Sequence, residues 1–106
     1  MPEVIEWVSH RLTDAQEMQR LHTDTFEAPD ADELKSIAPG DGVKICVDDC
    51  ERFWTVVQSV TEHVIVARVD NHLTLIDWEV GKKLAFETRH VYVVVKRGEG
   101  EGACVP

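Results

Sequence analysis

The pattern of apolar and polar positions divides the chain near Gly42. Before that point apolar residues are sparse and recur at helical spacing. Beyond it they come in short β-branched runs that alternate with polar residues. Residues 14–27 predict a helix with Thr13 as N-cap and Gln16 at the capping-box spacing. Ala15, Met18, Leu21 or His22, and Phe26 form its apolar stripe, and Pro29 ends it. A second short helix is expected over 31–37, capped by Asp30 and burying Leu34 and Ile37. Residues 4–12 fit either a helix, through Val4, Val8 and Leu12, or a short leading strand.

Ala38-Pro39-Gly40-Asp41-Gly42 is a strong turn signal. Five strand-type runs follow, at 43–48, 52–60, 63–70, 82–88 and 91–96. Over 52–60, Trp54, Val56 and Val60 share one face while Phe53, Thr55, Val57 and Ser59 share the other, and Trp54 is expected in the core. The run Val91–Val95, apolar on both faces, predicts a strand covered on both sides. Together these predict an α+β fold, with one or two N-terminal helices packed on a five-stranded antiparallel, SH3-like small β-barrel. The expected organisation is one domain over residues 1–97, with a helical region at residues 1–38 and a β-barrel region at residues 39–97. Residues 98–106, starting Gly98-Glu99-Gly100-Glu101-Gly102, read as a flexible tail.

Composition sharpens this picture. The 106 residues carry 20 acids and 11 bases, a net charge of −9. Residues 1–53 hold 13 acids and 5 bases, and residues 54–106 hold 7 acids and 6 bases, so the acidity lies in the first half. An acidic balance argues against direct nucleic-acid binding, which rests on cationic contacts with phosphates. No segment approaches the roughly 18 consecutive apolar residues of a membrane span. The start, Met1-Pro2-Glu3-Val4-Ile5-Glu6, lacks the basic region of a secretory signal, so a cytoplasmic protein without membrane contact is expected.

Candidate chemistry is thin. Cys46 and Cys50 have an acceptable metal-pair spacing, but no second pair follows, and His10, His22, His63, His72 and His90 are scattered. Neither a metal nor a cofactor is expected. Asp48, Asp49 and Glu51 around Cys50 raise a thiol pKa rather than lowering it, which argues against a nucleophile. These acids read as a solvated hairpin tip, and Asp30, Asp32 and Glu33 as a helix start. Gly40-Asp41-Gly42 lacks a phosphate-loop pattern. No catalytic residues are therefore expected. Trp78 either packs under a loop or stands in a groove, and Arg89-His90 opens the last strand nearby. The candidate binding residues are Asn71, His72, Trp78, Arg89 and His90.

From Pro39 to about Val95 the residues Gly40-Asp41-x-Val43-Lys44, Glu51-Arg52-Phe53-Trp54-x-Val56-Val57, Val69-x-Asn71 and Arg89-His90-Val91-Tyr92 form a recurring pattern. It resembles the bacterial domain-of-unknown-function family 2314, small stand-alone bacterial and phage proteins. The resemblance implies a small β-rich domain and no assigned activity. The function expected is a non-enzymatic module that binds a protein or peptide partner. Two alternatives are an acidic decoy or modulator of a nucleic-acid-binding protein, using acids at 24–33 and 48–51, and a small metal-binding or hydrolytic protein using Cys46, Cys50 and a histidine.

Overall fold

A computed structural model describes residues 4–24 and 27–97. The expected tail at 98–106 and the helical position of Phe26 lie outside the described residues. The chain builds six strands: β1 (Ile5–Trp7), β2 (Gly42–Val47), β3 (Glu51–Thr61), β4 (Val64–Val69), β5 (Lys83–Glu87) and β6 (Val93–Val95). Two helices, α1 (Ala15–Leu21) and α2 (Ala31–Lys35), lie between β1 and β2. Single 3-10 turns at Ser9–Arg11 and Thr88–His90 follow β1 and β5.

The α+β class is as expected, but the five-stranded closed barrel is not formed. The strands make one six-stranded sheet in the order β1-β5-β4-β3-β2-β6, with β1 and β6 at its edges. The neighbours are antiparallel except β1, which joins β5 in parallel. The sixth strand comes from the ambiguous stretch 4–12, which splits into a strand and a 3-10 turn. Leu12 then reaches across to bridge Val47.

Register explains the core. Val43, Ile45 and Val47 on β2 face Thr55, Phe53 and Glu51 on β3, and Val57 meets Ala67 on β4. Ile65 and Ala67 continue to Phe86 and Leu84 on β5. Except for Glu51, these inward residues are buried. Val8, Leu12, Ile37, Trp78 and Val91 close over them. Thr55 is tolerated there because its hydroxyl donates to the Val43 carbonyl at 3.2 Å. Trp54 thus belongs to the opposite face and is half-buried, a correction to its expected place in the core. Two large apolar residues alternate with two others in this strand, so period alone does not say which pair is inside. The expectation of a last strand covered on both sides also fails, since Val93 is exposed at the sheet edge.

The helices are shorter than the pattern suggests. Asp14, not Thr13, caps α1, accepting the Glu17 N–H at 3.0 Å. The helix stops at Leu21 because the chain folds back along it. Gln16 Nε2 donates to the Pro29 carbonyl and Gln19 Oε1 accepts the Ala28 N–H. Asp30 caps α2 as expected, and Ile37 is buried with Leu34 packed against the core. Asp48 and Asp49 both have positive φ, 52° and 55°, so the β2–β3 hairpin turns with the handedness that matches strand twist.

Candidate functional site

The five sequence candidates do not form one groove. Asn71 sits beyond β4, where its Oδ1 accepts the Trp54 N–H at 2.6 Å and its Nδ2 donates to the His72 carbonyl. It therefore shapes the loop from within, while His72 is exposed. Trp78 is only 7% exposed. It packs edge-on against Phe53, with ring centroids 5.9 Å apart, and Arg11 stacks over it at 5.1 Å. Its two readings, packing and groove, resolve to packing. The residue that holds this loop down is Glu51, which the sequence pattern groups with solvated acids. Its carboxylate accepts the N–H groups of Thr74 and Leu75 at 2.6 and 2.7 Å. The Thr74 N–H bond foremost holds its pKa below the usual carboxylate value.

Arg89 and His90 lie elsewhere, beside the first 3-10 turn and the start of α1. Arg89 is exposed and bridges Glu87 at 2.9 Å and Asp14 at 3.8 Å. His90 is only 2% exposed. Its Nδ1 is 3.1 Å from the Thr13 carbonyl and its Nε2 is 2.6 Å from Ser9 Oγ. Burial pushes its pKa below the ordinary value, favouring the neutral ring. In that state Nδ1–H donates to Thr13 and Nε2 accepts the one hydrogen of the Ser9 hydroxyl. Ser9 Oγ also lies 3.2 Å from Glu87 Oε1, a weaker claim on the same hydrogen. Glu87 thus approaches the serine, not the histidine, and Ser9 is itself buried. The cluster fastens the segment after β1 to the end of β5, where Val8 N–H also bonds the Ala85 carbonyl. Nothing around Ser9 in sequence pointed to this role.

A shallow cleft of about 440 Å³ is lined by His10, Arg11, Thr13, Asp14, Asp48 and Asp49, among others. Four of its polar side chains are engaged with one another. Arg11 grips both oxygens of Asp48 at 3.2 and 2.6 Å, and the Thr13 hydroxyl donates to Asp49. Cys46 is buried and Cys50 exposed, both as free thiols. Burial, then neighbouring Asp48, raises the Cys50 thiol pKa. Among the described residues, no three His, Cys, Asp or Glu side chains gather to hold a metal ion. No helix among them is long and apolar enough to cross a membrane.

What remains is the outer face of the sheet. Register brings Ile5 and Trp7 of β1 beside Lys83 and Ala85 of β5. These continue to Arg68 and Val66 of β4, and Arg68 continues to Val56 of β3. Trp54 meets Lys44 of β2, which meets Val93 of β6. Ile5 and Trp7 are each 48% exposed. At these outward positions Cys46 alone is buried, under Ala15, Ala28 and Tyr92. Elsewhere α2 packs toward the inner core, so among the described residues the rest of the outer face is left open. Reading Trp54 as core concealed this surface in the sequence. The exposed β1 was concealed by the helix–strand ambiguity of 4–12.

Comparison of the chain with known protein families, with characterised proteins and with solved structures gives no match.

Proposed function

We propose that this chain is a non-enzymatic protein-interaction module and that it binds through the outer face of its sheet. The observation that carries the reading is Ile5 and Trp7, each about half exposed beside Ala85 and Val66, with Trp54 and Val56 continuing the surface. A contiguous apolar and aromatic face of this kind is costly to leave in water and marks interaction sites. The order of three long antiparallel strands, a short fourth, a 3-10 turn and a last strand returning to the first supports reading β2–β6 as an opened SH3-like barrel. The same arc is where the resemblance to domain-of-unknown-function family 2314 lies. The loop residues Asn71 and Trp78 serve to build this scaffold, which moves the docking surface from the loops to the strands.

The test is capture with wild-type protein and with a Trp7→Ser/Val66→Ser variant. A partner that binds the purified wild type at a defined stoichiometry and is lost with the variant supports the reading. A partner bound equally by both overturns it. The acidic-modulator alternative draws less support, because Asp48, Asp49 and Glu51 are engaged with Arg11, Thr13 and the 74–75 backbone.

A further inference from the structure

The outer face differs in charge from the rest of the chain. Acids outnumber bases 20 to 11 overall. At outward strand positions the order reverses, with Lys44, Arg52, Arg68 and Lys83 against Glu87 alone. Several other cations meet carboxylates: Arg11 meets Asp48, Arg20 meets Glu17, Lys82 meets Glu6, Arg89 meets Glu87 and Lys96 meets Asp41. On the outer face Lys44 lies 5.7 Å from the Trp54 ring and Arg52 lies 5.1 Å from the Tyr92 ring. Among the described residues, Arg68 pairs with no carboxylate. It also stands directly across from Lys83. Like charges opposite each other destabilise a strand pair. The described residues are rich in acids and nevertheless set none against Arg68.

We propose that this face docks an amphipathic segment of a partner protein, whose apolar side meets the Ile5–Trp7 and Trp54–Val56 groups and whose carboxylates meet Arg68 and Lys44. The inference rests on the interaction-module reading and adds the chemistry of the partner. Size agrees with it. Six strands about 4.8 Å apart span roughly 24 Å, the length of about 16 helical residues. Charge decides against a nucleic acid. The net charge of −9 repels a polyanion that carries a charge every ~1.7 Å. A short acidic segment has few charges and meets the cations within the ~8 Å screening length of physiological salt.

The test follows backbone amide shifts of the isotope-labelled protein with three probes. One is a helical peptide of about 16 residues with Leu on one face and Glu flanking it. The second has Gln in place of Glu, and the third is a single strand of about 15 deoxythymidines. The Glu peptide is expected to shift amides of β1 to β5 at their outward positions with micromolar affinity. That affinity should fall at least tenfold with Arg68→Glu, and likewise for the Gln peptide. Arg68→Gln and Lys44→Gln provide the same comparison if Arg68→Glu loses its native spectrum. Equal binding of the Gln peptide at this face overturns the carboxylate assignment but leaves the module reading standing. No shifts on the face with either peptide overturn both. Tighter binding of the deoxythymidine strand overturns the proposal and assigns the face to nucleic acid.

Discussion

Both faces of the sheet carry large apolar residues, and they differ in how far those residues are buried. On the inner face Phe53, Ile65, Leu84 and Phe86 are essentially inaccessible. On the outer face Trp54, Val66 and Ala85, their neighbours one residue away, remain partly exposed, and Trp7 is half exposed. The inner face is closed by pieces from everywhere in the chain: Val8 and Leu12 from the N-terminal segment, Ile37 beyond α2, and Trp78 from the β4–β5 connection. Among the described residues, the outer face has a cover only at Cys46. Apolar content is therefore a poor guide to which side of a strand is the core. What decides is which side the connections fall on.

The largest expected effect breaks that comparison at one pair of adjacent residues. Phe53→Ala should cost about 3–5 kcal/mol, as a filled core position becomes a cavity. Trp54→Ala, though a larger truncation, should cost less, about 2 kcal/mol, because the ring is only partly buried and its removal leaves no enclosed cavity. Urea denaturation of the two variants measures the difference, and equal costs would mean that both faces act as core.

The next effect concerns the corner where α2 runs into β2. Asp41 is 2% exposed, and its carboxylate accepts the N–H groups of Ala38 and Arg97, both at 2.9 Å, and the Lys96 ammonium. Burial works against its ionisation, but these three donors outweigh it and hold its pKa below the ordinary value. Asp41→Ala should cost about 3 kcal/mol, since it strands a cation and two N–H groups. A depressed carboxylate pKa contributes stability that is present above the unfolded value near 3.8 and is lost as pH falls through the folded one. The gap between wild type and Asp41→Ala should therefore narrow in acid.

A smaller effect tests the fastening of β1. His90 has a folded pKa below its unfolded value near 6.5, so between the two the unfolded chain holds more protons. Its contribution is full above about pH 6.5 and declines as pH falls toward the folded pKa. Ser9→Ala, which removes the donor to His90 Nε2, should cost about 1–2 kcal/mol at pH 8. It should also reduce this component of the pH slope, because the neutral ring loses the partner that favours it. Denaturation midpoints at pH 8 and pH 5.5 check both. A slope unchanged in the variant would show that Ser9 does not set the state of His90.

Much of the β half was legible because turn chemistry punctuates it. Gly40, the Asp48-Asp49 tip and the Asp70-Asn71 stop all sit where elements begin or end. The α2 cap at Asp30 was legible for the same reason. The face of β3 was not, since Trp54 and Val56 alternate evenly with Phe53 and Val57 and only long-range pairing chooses between them. Nor was β1, three residues whose partner lies about 78 positions away at Lys83. The candidate site was missed on the same ground. A surface assembled from every second residue of six strands has no contiguous motif. Residues that look like a motif, such as Arg89-His90, turn out to be divided between an exposed ion pair and a buried hydrogen bond.

The most direct test of the division between faces is a paired measurement on Arg68→Glu. Its urea midpoint should correspond to a stability no more than about 1 kcal/mol below wild type, because Arg68 is partly exposed on the outer face and the substitution replaces a like charge opposite Lys83 by an opposite one. Its affinity for the Glu-flanked amphipathic peptide should fall at least tenfold. A variant that loses stability and affinity together, or keeps both, would contradict the assignment of the inner face to stability and the outer face to binding.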